Sequence, residues 1–300
     1  MRARGLACLA LGAVAARAAY AALTARPPGG AATWTRTNHR GEPLTLLEGP
    51  AVAAAASVSG AAVVPGRLRA AALLAGLGSG ALGAYDDLAG SGDSRGFKGH
   101  LGALARGEVT SGAIKILGIG ATGLAAAALA RPYAPGRPSR SALMAAVDVV
   151  IDGGVIAGGA NLLNLFDLRP GRAVKVAVLA GTPLALTNGA GGAAAAATLG
   201  SATALLDEDL GERAMLGDSG ANALGALLGL AAVTTLPRAG RIAALTVIAG
   251  LTAASEKVSF TKVIAATPPL HRLDMLGRRP VAPRPRDPEP EETSGVALAP

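Results

Sequence analysis

A single cysteine, Cys8, stands in the whole chain of 300 residues, so no internal disulfide can form. No paired Cys and His spacing suggests a zinc site, and redox chemistry built on thiols is excluded. Charged residues make up only 16% of the sequence, where a soluble domain carries about a quarter. Disorder and an ordinary water-soluble enzyme are both at odds with that shortage. Aromatic residues are down to 2%, which nearly removes the Trp and Tyr belts that mark membrane interfaces. An alanine-rich composition accounts for that scarcity. The formal net charge of +8 invites a nucleic-acid reading, but the cations sit singly between apolar runs, without interleaved aromatics for stacking. No nucleic-acid partner is expected.

What is present is apolar. Hydrophobic residues reach 51% and mean hydropathy is +0.42. The 42 glycines and 19 prolines show no collagen-like period, so they mark turns, kinks and close helix contacts. The breaks between apolar runs outline about nine stretches, at 5–25, 44–64, 68–84, 114–129, 143–163, 174–186, 190–206, 221–236 and 242–254. Several fall short of the roughly 20 residues that a bilayer asks for, so their ends must extend into flanking polar residues. The expected fold is all-α: a polytopic integral membrane bundle of about nine transmembrane helices over residues 1–276, followed by a disordered, Pro-rich cytoplasmic tail at 277–300. With the N-terminus outside, Lys and Arg concentrate in the inner segments, as the positive-inside rule requires. Arg2 and Arg4 before the first apolar run also resemble the start of a signal peptide, against which Arg17 inside that run speaks.

Against this background four polar clusters stand out, because ionisable groups beside membrane spans are costly. Tyr85-Asp86-Asp87 ends the third stretch, where two adjacent carboxylates either close a helix or bind a proton or a cation. Asn161, Asn164 and Asp167 recur at i, i+3 and i+6, a polar stripe on one helix face able to line a cavity. Asp148 and Asp152 either continue that stripe or lie in an outer surface turn. Asp218 stands between Gly217 and Gly220 at the opening of the eighth stretch, where it is either an N-cap or, with backbone amides free for a phosphate, an anchor for Mg²⁺. The last inner run carries His271 and Arg272, a donor and a fixed cation suited to phosphate or sugar. Arg36, Asn38 and Arg40 in the first inner loop, and Arg95, Lys98, His100 and Arg106 after the Asp pair, add polar groups. The alternating arrangement puts all four clusters on one side, which favours one shared polyanion and metal site.

These motifs, in this order, resemble the polyprenyl-phosphate N-acetylhexosamine-1-phosphate transferase family, over roughly residues 38–277. The resemblance implies a plasma-membrane protein with a cytoplasm-facing site for Mg²⁺, a UDP-sugar and polyprenyl phosphate, which releases UMP in cell-envelope glycan synthesis. It implies catalytic roles for Asp86 and Asp87, metal ligation by Asp218 and Asp167, and substrate binding by Asn161, Asn164, Lys98, His271 and Arg272. A homodimer is left open. The chain departs from the family pattern at Gly90, Leu168 and Pro170, has one histidine in the loop that carries several in the family, and lacks the family's final span. Those departures sustain the alternative of a catalytically silent homologue that acts as a membrane scaffold or regulator of envelope assembly.

Overall fold

The computed structural model describes residues 3–38, 40–89, 102, 106–107, 110–136 and 141–280. They are mostly helical. The helices are α1 (Ala3–Ala25), α2 (Ala31–Trp34), α3 (Glu48–Ala62), α4 (Arg67–Leu73), α5 (Ser79–Ala89), α6 (Ser111–Ala130), α7 (Ala142–Phe166), α8 (Arg172–Ala185), α9 (Ala190–Ala204), α10 (Leu206–Leu210), α11 (Gly217–Thr235), α12 (Arg238–Ser255), α13 (Phe260–Ala266) and α14 (Pro268–Met275). A π-helical segment, Leu74–Gly78, fuses α4 and α5 into one continuous helix. The hairpin of β1 (Thr35–Thr37) and β2 (Pro43–Thr45) is antiparallel, with Thr35 opposite Thr45.

Each of the nine apolar stretches carries a helix, but among the described residues only four helices are long and apolar enough to cross a membrane: Ala3–Ala25, Arg67–Ala89, Ser111–Tyr133 and Ala142–Phe166. A fifth is added if α12 and α13, bent by 95°, count together. The shortfall is one of length and composition. Helices α3, α8 and α9 have 15, 14 and 15 residues, about 22 Å of rise against a hydrocarbon core near 30 Å. Helix α11 is longer but opens on Asp218 and Asn222.

Helix α11 is the core. It is buried on every side from Ser219 to Val233 and packs against α3, α5, α7, α8 and α9. Such burial needs partners that come close, and small residues supply them. At the crossing with α7, a Cβ on Gly225 would stand 2.2 Å from the Gly159 carbonyl oxygen; at the crossing with α3, one on Gly49 would stand 2.1 Å from that of Leu216. Helix α1 leans on α9 in the same way. A Cβ on Gly200 would sit 1.9 Å from the Leu9 carbonyl oxygen, and one on Gly12 would sit 2.0 Å from that of Ala197.

Backbone cannot yield as a side chain can, so Gly200→Leu should lower the thermal unfolding midpoint in detergent by the equivalent of at least about 2 kcal/mol. Gly120→Ala, whose Cβ meets nothing within 4 Å, should leave the midpoint unchanged or slightly raised. Equal midpoints for the two variants would contradict the close α1–α9 contact.

Candidate functional site

The site is built on the first turn of α11. Gly217 opens it at φ +58, a conformation that L side chains rarely adopt, and a Cβ there would press to 3.0 Å on Asp87 Oδ2. The turn's backbone amides are not free. The N–H groups of Asp218 and Ser219 donate to Asp87 Oδ1 and Oδ2, both at 3.0 Å, and the N–H of Gly217 donates to the Asp167 carboxylate. Carboxylates from the ends of α5 and α7 therefore fill a place where an anion could have bound. The Arg36 guanidinium donates to the Asp87 carbonyl oxygen at 2.8 Å, so the hairpin closes the end of α5.

The neighbouring carboxylates turn the other way. Lys115, near the start of α6, places its ammonium between Asp86 and Asp218: Nζ lies 2.6 Å from Asp86 Oδ2 and forms a second ion pair with Asp218. Asp86 also accepts from Ser111, and Asp218 accepts from Asn164. The Asn164 amide is 3.3 Å from Asn222 Oδ1, and the Asn161 amide is 3.5 Å from Thr252 Oγ1. Lys115 belongs to the site without having been anticipated there; as the lone cation of the apolar stretch 114–129, it carried the one signal that could have marked it.

Lys115 and the asparagines beside it reach the polar end of a cavity of about 580 Å³ between α6, α7 and α12. Lys115, Asn161, Asn164, Asn222, Thr252, Glu256 and Lys257 line that end, and Ile116, Ile119, Leu245 and Ile248 line the apolar part. An amphipathic molecule with a polar head and an apolar tail fits this distribution.

The stripe predicted at 161, 164 and 167 is split. Helix α7 ends at Phe166, and Asp167 follows at φ −79 and ψ 48, outside helical geometry. Asn161 and Asn164 face the amphipathic cavity, whereas Asp167 lines a second, polar pocket of about 210 Å³ with Thr37, Asn38, Asp209 and Glu212. Burial raises the Asp167 carboxyl well above the usual carboxylate range, and the charges of Asp209, Asp218 and Asp87 add to that rise. Burial likewise pushes the Asp209 carboxyl up to about 7 against the opposing pull of the Gly171 N–H and of Lys175 and Arg278. Glu212 has the only positive φ of a non-glycine among the described residues, and Asn38 and Arg40 hold its carboxylate at 2.9 and 3.0 Å.

His271 and Arg272 lie exposed on α14. The anchor of that helix is Asp274, which Arg172 grips with two nitrogens at 2.7 and 3.0 Å. Burial works to raise the Asp274 carboxyl, but Arg172, Arg278 and Lys175 outweigh it and hold it below its ordinary value. Phe260, at the start of α13, stacks on Phe166 with ring centres 4.9 Å apart. Lys98 and the departure at Gly90 lie outside the described residues, as does the tail from 281 to 300.

Asp148 and Asp152 are not in a surface turn. Both lie within α7 and pair with Arg238 and Arg241 of α12.

Among the described residues, no group of three or more His, Cys, Asp or Glu side chains converges to hold a metal ion. No model of a known protein family matches the chain, and no curated protein matches its sequence.

Asp209 generates a test by pH. Its folded value near 7 lies above the unfolded value of about 3.9, so the folded chain binds the extra proton between them and loses stability as pH rises through that window. The unfolding midpoint should fall from pH 5 to pH 8, and Asp209→Asn, whose amide oxygen still accepts the Gly171 N–H, should shrink the fall. An identical pH profile in the variant would contradict the burial argument.

Proposed function

We propose that the protein is a Mg²⁺-dependent phosphotransferase that moves a sugar 1-phosphate from a UDP-sugar to a polyprenyl phosphate at the cytoplasmic face of the plasma membrane, releasing UMP. The observation that carries this reading is the amphipathic cavity with Lys115 at its polar end, whose ammonium is paired with Asp86 and Asp218 just behind it. An apolar cavity wall suits a prenyl chain, and a lysine ammonium at its head suits the chain's phosphate.

Asp86 and Asp218 already share one cation, the Lys115 ammonium, and the hard oxygen donors of Asp218 suit Mg²⁺. That ion needs no three-ligand protein cage, since one or two carboxylates suffice when substrate phosphates and water complete its shell. Held there, Mg²⁺ would supply the positive charge that offsets the diphosphate. Lys115, displaced toward the acceptor phosphate, lowers the repulsion between two anionic reactants. Asp86 takes the remaining acidic proton of the acceptor, a phosphate oxygen of the acceptor attacks the sugar-bearing phosphorus, and the bond from that phosphorus to UMP breaks. Asn161 and Asn164 orient the acceptor head. Asp87, whose two oxygens are spent on the amides of α11, holds the turn that presents Asp218 and is a positioning residue.

The alternative of a silent scaffold rests on the same ammonium, which gives both carboxylates a cationic partner without any metal. Purified protein incubated with Mg²⁺, undecaprenyl phosphate and a panel of UDP-sugars decides between them. UMP release is expected with at least one sugar, falling about 100-fold or more in Asp218→Asn and in Lys115→Met, as for the loss of one preorganised electrostatic group. Absence of UMP with every sugar supports the scaffold, and wild-type rates in both variants would show that this end of the cavity is not where the chemistry occurs.

A further inference from the structure

The two ion pairs between α7 and α12 do something that neither the core nor the polar site explains. Arg238 Nε stands 2.9 Å from Asp148 Oδ1, near the surface. Deeper, Arg241 Nε and Nη1 stand 3.4 and 3.5 Å from the Asp152 oxygens, with both side chains only 1% exposed. Asp152 is about 15 Å along α7, near the middle of that membrane-length helix.

Energetically the deep pair is a poor choice. Burying two charges costs several kcal/mol each, and the attraction repays that only at close geometry, near 2.8 Å for a charge-assisted hydrogen bond. The observed separations are longer. What such a pair does well is to penalise alternatives, because a shift of one helix along the other separates two opposite charges among apolar residues. Helix α12 needs that constraint. It packs chiefly on α7, through the face that carries Arg241, Leu245, Ile248 and Thr252 at spacings of four, three and four. In this register Leu245 lies over Gly154, Ile248 over Gly158 and Thr252 beside Asn161.

We propose that Asp152 and Arg241, with Asp148 and Arg238 above them, are positioning residues: a clasp that sets the register of α12 on α7 and so the shape of the amphipathic cavity. A slip of one turn, about 5.4 Å, takes Thr252 away from Asn161 and carries Glu256 and Lys257 off the polar end. The proposal concerns geometry and holds whether or not the cavity serves a phosphotransferase.

A crosslink reads the register without any substrate. A Cβ at position 158 lies 3.8 Å from the Ile248 Cβ, within the span of a disulfide. Gly158→Cys/Ile248→Cys, made in the full chain with Cys8→Ala and oxidised in micelles, should crosslink nearly completely. Adding Asp148→Asn/Asp152→Leu/Arg241→Leu should leave the unfolding midpoint no lower than Asp148→Asn alone while the crosslink yield falls about fivefold or more, since a slipped cysteine pair is beyond disulfide reach. Failure of the parent pair to crosslink overturns the proposal, as does an undiminished yield in the combined variant. A combined variant that unfolds early or does not fold also overturns it, by showing that the deep pair is held for stability.

Discussion

Three consecutive backbone amides at the start of α11 meet two carboxylates that come from other helices, and the arrangement of this end of the bundle follows from that meeting. A helix N-terminus carries unsatisfied N–H groups and a partial positive charge. A largely buried N–H group left without an acceptor costs about 1–3 kcal/mol. Asp87 and Asp167 supply the acceptors, so the ends of α5 and α7 are drawn to the start of α11. Once α11 is fixed there, the Asp218 side chain faces Lys115 on α6 and meets Asp86 across its ammonium. Four helices are thus tied at one point by groups that would be expensive to leave alone.

The rest of the bundle is shaped by small side chains. Alanine and glycine give little apolar area each, so α11 draws its stability from backbones that approach to contact, as at Gly49, Gly159 and Gly225. The same economy leaves room where a larger helix meets the bundle. Helix α12 brings Leu245 and Ile248 against glycines of α7, and the space beside them is the amphipathic cavity. Polar groups gather at one end because α6, α7 and α12 with its C-cap all present their polar residues there: Lys115, Asn161 and Asn164, Thr252 and Glu256.

Much of this was legible in the sequence. The nine apolar stretches coincide with helices because alternation of apolar runs and breaks is a strong local signal. Their capacity to span was less legible, since length depends on where capping and packing end a helix, and α3, α8 and α9 stop short. The Asp pair and Asp218 were visible as costly acids in an apolar background, and the structure brings them together. The way they share the work was not visible. One residue of helix decides whether Asp167 continues the face of Asn164, and α7 ends before it. The capture of amides by Asp87, the bridging position of Lys115 and the pairing of Asp152 with Arg241 are all contacts between residues far apart in the chain, which no local pattern encodes.

The central claim is that the carboxylate of Asp87 holds the first turn of α11. Hydrogen–deuterium exchange on the segment that contains Gly217, Asp218 and Ser219, compared between the wild-type protein and Asp87→Ala in the same micelles, measures that hold directly. Two charge-assisted hydrogen bonds at about 1.5–3 kcal/mol each predict exchange at least about tenfold faster in this segment, with the interior of α11 from Leu224 to Val233 still protected. Unchanged exchange at Asp218 and Ser219 would contradict the account, because it would mean that the turn stands without the acid that the structure places on it.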